Sequence, residues 1–294
     1  MPLPTSILCP VDFSAHAERA LRHAVALAGA FHARLTVVTV NDPLLVDATA
    51  AAGYGDTLRD QVEAALLDAL TRVPAHTTRL LPAIDIVTGV ASDEILLAAD
   101  RAGASLIVMG TQGLGGTGKL MFGSTTERVM HTTRVPVLAV PDYAPERMTV
   151  VNGMTRFTVG TVVGAVGLDA LDGVVAATAA DWAGAMGAGL VLTHVCHEAP
   201  APSWWPFSGS PVPSESIDEA RAQMTALAHS LPAIAQAEID VRSGAAPAGT
   251  AAVVHERAAG LLVVSRGGGE HRPGTVAYRI MREADIPTLV VCRR

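Results

Sequence analysis

The chain of 294 residues carries 21 Lys and Arg against 28 Asp and Glu, and its aromatic set is only 3 Trp, 3 Tyr and 5 Phe, although half of all residues are hydrophobic. At roughly 100 to 200 residues per domain, that length predicts about two domains or one large one, and the apolar content excludes global disorder. The net charge of −7 excludes a broad nucleic-acid footprint, which needs a basic face.

In chain order, Ile7 to Val11 reads as a short apolar strand. From Ser14 a helix runs on, whose Leu21, Ala24, Val25 and Ala28 recur at helical spacing. Leu35 to Val40 is the second strand; a loop rich in Ala and Gly then leads to a helix over Thr57 to Arg72. Ile84 to Val87 is a third strand, and Ser92 opens a helix with Asp93 and Glu94 in its first turn, where the helix dipole favours acids. Leu106 to Met109 forms a fourth strand, Ser124 to His131 a short helix and Val135 to Val140 a fifth strand.

This unit is written twice. Ile84 to Ala91 (IDIVTGVA) matches Ile239 to Ala246 (IDVRSGAA) at a spacing of 239 minus 84, or 155, and the same spacing carries Leu106-Ile107-Val108-Met109 onto Leu261-Leu262-Val263-Val264. Beyond Ser265 the spacing falls to 151, placing Gly123 on Gly274 and Pro136 on Pro287, so the second copy lacks four residues there. Alternating strands and helices predict an α/β fold with two tandem doubly wound, Rossmann-like domains. Each is expected to be a five-stranded, mainly parallel sheet covered by helices on both faces. The predicted boundaries are 1–143 for the first domain, 144–157 for the join and 158–294 for the second. The join contains Asn152-Gly153 between Val150-Val151 and Met154-Thr155, and reads as a tight hairpin or as a solvated connector.

A membrane span needs about 18 to 20 apolar residues, whereas the run from Phe157 to Leu168 has 12 positions between Arg156 and Asp169. The first residues have no basic region ahead of a long apolar run, so no secretory signal is expected. Cys9, Cys196 and Cys292 are odd in number and widely spaced, which predicts free thiols and a cytoplasmic setting. His194, Cys196 and His197 raise zinc, but strand alternation turns His197 away and no second ligand cluster accompanies them, so no metal site is predicted. Trp204-Trp205-Pro206-Phe207 lies in a proline-rich loop, readable as a cover for the second half or as an exposed contact for a partner.

Doubly wound sheets bind ligands beyond the carboxyl ends of their strands. The richest such place comes after the fourth strand, from Met109 to Glu127. Gly113, Gly115 and Gly118 satisfy GxGxxG, but after the wrong strand and without the acid that should accompany it. Gly113 to Lys119 imitates a P-loop, yet Leu120 stands where a magnesium-binding hydroxyl belongs. A third pattern fits its place better: Gly110, two residues, Gly113, nine residues, then Gly123-Ser124. Gly110 and Gly113 are expected to let the chain turn as it leaves the strand. Ser124 to Glu127 reads as a capping box at a helix start, where free amides and the dipole favour an anion. The alternative is a glycine-rich connection with an ordinary cap.

That pattern, with Pro10-Val11-Asp12 after the first strand and Val135-Pro136-Val137 in the closing strand, resembles the universal stress protein family in two tandem copies. The resemblance implies that Asp12 and Val40 contact an adenosine lined by Pro10 and Val11. It also implies that Met109 and Gly110 lie along the ribose side, and that Gly113, Gly123, Ser124 and Thr125 hold the phosphates. The implied ligand is ATP, free or as its Mg2+ complex, and the implied role is a nucleotide-dependent sensor or regulator acting through a protein partner. The resemblance further implies a homodimer or an intrachain pseudo-dimer through the closing strands. No catalytic residue is expected. A slow ATP hydrolase or adenylyl-transferring enzyme and a nucleotide-free scaffold are the rival readings. In the second copy Ser265 replaces Gly110 and the loop is short, so a nucleotide is expected in the first half alone.

Overall fold

The computed structural model describes residues 3–73, 81–112, 122–142, 148–151, 154–169, 172–199, 212–213, 216–232, 236–266 and 275–292. They fall into two compact units, Leu3–Thr158 and Val159–Arg293.

The first unit runs β1 (Ser6–Pro10), α1 (Ala15–Phe31), β2 (Arg34–Asn41), α2 (Pro43–Ala51), α3 (Gly55–Arg72), β3 (Ala83–Thr88), α4 (Ala91–Arg101), β4 (Leu106–Gly110), α5 (Ser124–Thr132) and β5 (Val137–Val140). Its strands are all parallel in the order β3-β2-β1-β4-β5. Because the order reverses at β1, right-handed crossovers put α1 and α3 on one face and α4 and α5 on the other. β6 (Met148–Val151) and β7 (Met154–Phe157) then pair antiparallel, with Val151 opposite Met154.

The second unit runs β8 (Thr161–Ala165), α6 (Asp172–Met186), β9 (Gly189–Ala199), β10 (Val212–Pro213), α7 (Ile217–His229), β11 (Ala237–Gly244), α8 (Ala246–Glu256), β12 (Leu261–Ser265), α9 (Thr275–Ala284) and β13 (Thr288–Val291). Its parallel order is β11-β9-β8-β12-β13, and the two residues of β10 add an antiparallel pairing at the end of β9. Each unit is thus a doubly wound α/β domain with five parallel strands. The cores are mainly aliphatic: Ile7, Leu8, Leu106, Ile107 and Leu138 are fully buried in the first unit, and Leu192, Leu261, Leu262 and Leu289, together with Trp182, in the second.

Local chemistry sets the helix ends. Ser14 caps α1 by accepting from the Ala17 N–H at 3.2 Å, and the helix buries Leu21, Ala24, Val25 and Ala28, the stripe expected from spacing. The Ala- and Gly-rich segment expected as a loop contains α2. Asp42 accepts from the Leu44 N–H at 2.8 Å and Pro43 occupies the first turn. No residue of α2 is buried, so it has no core stripe for periodicity to reveal.

The repeat extends to the backbone. Phe13 (φ 61°), His32 (φ 52°) and Gly103 (φ 55°) adopt left-handed conformations, and so do Leu168 (φ 57°), Gly187 (φ 64°) and Ala258 (φ 45°), each 155 positions on. Glycine stands in one copy and a side chain in the other at two of these places, so both copies impose the same turn even at the steric cost that L residues carry there.

Close packing explains Gly110. Its φ is outside the left-handed region; a Cβ there would lie 2.9 Å from the His16 carbonyl oxygen and 3.0 Å from its carbon. Gly110 is therefore needed for the approach of α1 to the end of β4, and not for a sharp turn. Charge is compensated differently in the two units. Arg101 pairs with Asp85 at 2.9 Å in the first. In the second, Glu256 takes the place of Arg101 and faces the equivalent Asp240, and Arg242, where the first copy has Val87, bridges both acids at 2.6 and 2.5 Å. Hydrogen bonds from Arg242 hold Glu256 below the usual carboxylate range, desolvation opposes them, and the charges of Arg242 and Arg257 add to the lowering.

Gly110→Ala is expected to destabilise the protein by about 1 to 3 kcal/mol, because backbone atoms must move apart; a urea midpoint equal to wild type contradicts this packing. Arg242→Ala is expected to lower the second unit's Tm by about 2 to 4 °C at pH 7. Since the folded Glu256 value lies below the unfolded one, this contribution is complete above the unfolded pKa and disappears as pH falls through the folded pKa. A wild-type-to-variant gap in Tm that persists unchanged well below the ordinary carboxylate range contradicts the assignment.

Candidate functional site

At the carboxyl end of the first sheet, β1 and β2 are laced together just past their last pairing. The Val11 N–H donates to Val38 O at 2.8 Å, and the Val11 carbonyl accepts from Thr39 Oγ1 at 2.9 Å. Phe13 then reverses the chain in its left-handed conformation. Asp12 Oδ1 accepts from the Ser14 N–H at 3.1 Å and from Ser14 Oγ at 2.6 Å. The carboxylate thus braces the start of α1 while Asp12 stays exposed to solvent at the sheet end. Both readings of Asp12, as an acid at a helix start and as a site residue, fit one conformation. Val11 is buried, and Pro10 and Val40 are half-buried beside it.

β4 pairs directly with β1, so Met109, buried, and Gly110 lie alongside this turn. The chain beyond β4 is pinned in three places. Thr111 N–H donates to Val140 O at 3.1 Å, Gly123 N–H donates to Thr111 O at 2.8 Å, and buried Thr126 Oγ1 donates to Gly110 O at 2.9 Å. The two ends of the glycine loop are therefore held together, and α5 starts immediately at the end of β4. The first intrahelical hydrogen bond runs from Glu127 N–H to Gly123 O at 3.0 Å. Helix geometry leaves the N–H groups of Ser124, Thr125 and Thr126 ahead of it without intrahelical acceptors.

The expected capping box does not form. Gly123 is the N-cap (φ −64°, ψ 142°) with no side-chain hydrogen bond, and Ser124 is the first helical residue. The pinning of Gly123 to Thr111 moves the cap one residue upstream, which leaves Ser124 exposed and Thr125 half-buried at the helix start. Gly113 and Lys119 lie outside the described residues. The other candidates, Pro10, Val11, Asp12, Val40, Met109, Gly110, Gly123, Ser124 and Thr125, all fall at this end of the sheet. Sequence reading missed Thr39 and Thr126, whose hydroxyls tie the site together. It also missed His16, whose Nδ1 lies 3.7 Å from Asp142 Oδ1 at the same end. Threonine in a strand or helix carries no distinguishing pattern, and the His16–Asp142 contact joins residues far apart in sequence.

The second unit repeats the lacing with different side chains. Val166 N–H donates to Thr193 O at 2.9 Å, and the Val166 carbonyl accepts from His194 Nδ1 at 2.8 Å. His194 stands where the first copy has Thr39, and Leu168 supplies the left-handed residue. Two carboxylates, Asp169 and Asp172, occupy the next turn. Burial pushes the Asp172 carboxyl up; N–H groups of Asp169 and Gly167 and the charge of His194 oppose the shift, and the charge of Asp169 adds to it. β12 ends in Ser265, which brings a side chain to the place that Gly110 holds in the first unit. The second loop, residues 267–274, lies outside the described residues.

The histidine and cysteine cluster does not converge. His194 is committed to Val166 O, Cys196 is buried and His197 is exposed. Among the described residues no group of three His, Cys, Asp or Glu is placed to hold a metal ion. All three cysteines are free and buried, and burial pushes the Cys9 and Cys292 thiols up, away from reactivity. Among the described residues, no helix is long and apolar enough to cross a membrane. Trp204 to Phe207 lie outside the described residues.

Comparison with known proteins agrees with this architecture. The family model described as "Universal stress protein family" matches residues 5–141 and 159–292. A universal stress protein from Thermus aquaticus, encoded in the QAH/OAS sulfhydrylase 3' region, is 38% identical over 140 residues, which is 46% of this chain and 97% of that protein. The universal stress protein MJ0531 of Methanocaldococcus jannaschii is 30% identical over 136 residues, 46% of this chain and 80% of its own. Among solved structures, a universal stress protein from Archaeoglobus fulgidus shares the fold with a TM-score of 0.66 at 18% identity, covering 99% of each chain. With both of its repeats matched, the chain belongs to the universal stress protein family.

Proposed function

We propose that the first repeat binds ATP, free or as its Mg2+ complex, and that the protein serves as a nucleotide-dependent sensor or regulator in stress response. The observation that carries this reading is the double tether of α5 to β4, Gly123 to Thr111 and Thr126 to Gly110. It holds the open amides of Ser124, Thr125 and Thr126, and the positive end of the helix, at the carboxyl end of the central strands. Such an arrangement suits an anionic phosphate chain without further charge. The laced turn of Val11 and Asp12, with Val40 next to it, supplies a braced carboxylate and apolar surface one strand away, a fit for a nucleoside. Ser124 and Thr125 hydroxyls add donors at the phosphate end.

The second repeat is a partner without nucleotide in this reading. Asp169 puts a carboxylate at its strand end, which disfavours an anionic ligand there. Ser265 also brings a side chain to the place of Gly110. Binding, rather than fast chemistry, is the function: bound nucleotide alters the surface that the protein offers to a regulatory partner.

Denaturing the purified chain and separating its released small molecules by chromatography is expected to yield an adenine nucleotide. In calorimetry, Gly113→Val is expected to abolish ATP binding and Ser124→Ala to weaken it several-fold. Equal binding by wild type and both variants contradicts the site. Sustained turnover on the order of 1 s⁻¹, an ordinary enzymatic rate, contradicts the regulatory role.

A further inference from the structure

β3 is the outer strand of the first sheet; among the described residues it pairs with β2 alone. Gly89 N–H donates to Asn41 O, so by alternation the peptide groups of Asp85 and Val87 also face β2. Those of Ile84, Ile86 and Thr88 point out of the sheet, and their N–H and C=O groups have no partner among the described residues. Such a row of unpaired groups is a template for a further strand.

The second repeat guards its own edge. Along β11, Arg257 pairs with Glu238, and Arg242 bridges Asp240 and Glu256, charges of the kind that deter edge pairing. β3 carries one charge, Asp85, held by Arg101 of α4. Apolar side chains flank it instead: Leu81, two residues before the strand, is 94% exposed, and Leu67 on α3 and Leu97 on α4 are half-exposed.

The partner that fits this edge is the same edge of a second copy. In an antiparallel pair with Ile86 opposite Ile86, the two Ile86 residues exchange both of their hydrogen bonds, and Ile84 does so with Thr88 on either side. Every outward group is then used. The faces agree as well, because Ile84, Ile86 and Thr88 lie on one side of the sheet and Asp85 comes opposite Val87 on the other. Centring on Asp85 instead sets like charges against each other. Charge along the edge is complementary in the Ile86 register. Glu94 stands at the carboxyl end of β3, its Cγ 2.8 Å from where a Gly89 Cβ would lie, and Arg101 is bonded to Asp85 toward the amino end. Antiparallel pairing turns the Glu94 end of one copy toward the Arg101 end of the other. The six hydrogen bonds of this register correspond to about 600 to 1,200 Å² of interface. Covering the flanking leucines brings the pair into the range of a specific contact, from about 1,200 Å².

We infer that β3 is a self-docking edge, at which two copies of the chain join their first sheets antiparallel about a two-fold axis at Ile86. The pairing requires no nucleotide and stands apart from the proposed ligand.

Sedimentation of the full chain is expected to show a dimer with a Kd in the micromolar range. Ile86→Pro removes an outward N–H and leaves the bonds to β2 in place; it is expected to weaken association by about tenfold or more, with circular dichroism unchanged. Thr88→Pro, at the exposed strand end, acts in the same way and keeps the test decisive if Ile86→Pro folds poorly. Mild oxidation reads the register. Cα atoms of a hydrogen-bonded antiparallel pair stand about 5.5 Å apart, within disulfide reach. Ile86→Cys is therefore expected to form a covalent dimer, and Asp85→Cys, set off from its mate along the strands, is expected not to. The native cysteines are all buried, so wild type is expected to stay uncrosslinked. A wild type that remains monomeric well above micromolar concentration overturns the pairing. So does a dimer that both proline variants form as tightly as wild type, or an Asp85→Cys chain that crosslinks while Ile86→Cys does not.

Discussion

A single hydrogen-bonded lace governs what each repeat can do. Where β1 ends, the Val11 amide is held by β2 and its carbonyl by Thr39; where β8 ends, Val166 is held the same way by β9 and His194. This brings the first two strands to a common edge and forces the next residue but one into a left-handed turn. Phe13 and Leu168 both accept that conformation although neither is glycine. An L residue persists there only when its surroundings over-determine it. The turn aims the residues after it across the strand ends, and so decides which groups meet a ligand.

Beyond the lace the two repeats diverge, and the differences are concerted. In the first, Asp12 is spent on bracing Ser14 and the helix start, Gly110 admits α1 against β4, and α5 is tied back to the strand by Thr126. The start of α5 and the braced acid thus lie at the same end of the sheet. In the second, two carboxylates crowd the turn and a serine stands where the glycine was. The same compensation appears away from the site. Where Arg101 has become Glu256, Arg242 has arisen to separate the two acids that then face each other. Away from the site the changes are compensated within each repeat, whereas at the strand ends the second repeat carries Asp169 and Asp172 and has Ser265 in the place of Gly110.

The fold was readable because burial is periodic and the unit is repeated. The parallel strands and core-facing helices of the first unit carry apolar patterns, and the spacing of 155 aligns β1 with β8, α4 with α8 and β4 with β12 end to end. α2 escaped because it buries nothing, so only its Asp42-Pro43 start marked it. Within the site, Gly110 and Ser124 came from the glycine pattern that follows the fourth strand, and Asp12 from the family resemblance. The reason for Gly110 did not, since close approach of His16 is a tertiary contact with no trace in local sequence. The displaced cap at Gly123 has the same origin, a hydrogen bond to Thr111 across the loop.

The most direct measurement is a crystal structure of the full chain grown with ATP. One nucleotide per chain is expected, with its phosphates at the amides of Ser124 and Thr125 and its base beside Val40 in the first repeat. A nucleotide seated at Ser265 and Asp169 in the second repeat, or a first repeat that stays empty at saturating ATP, contradicts the division of labour between the two copies.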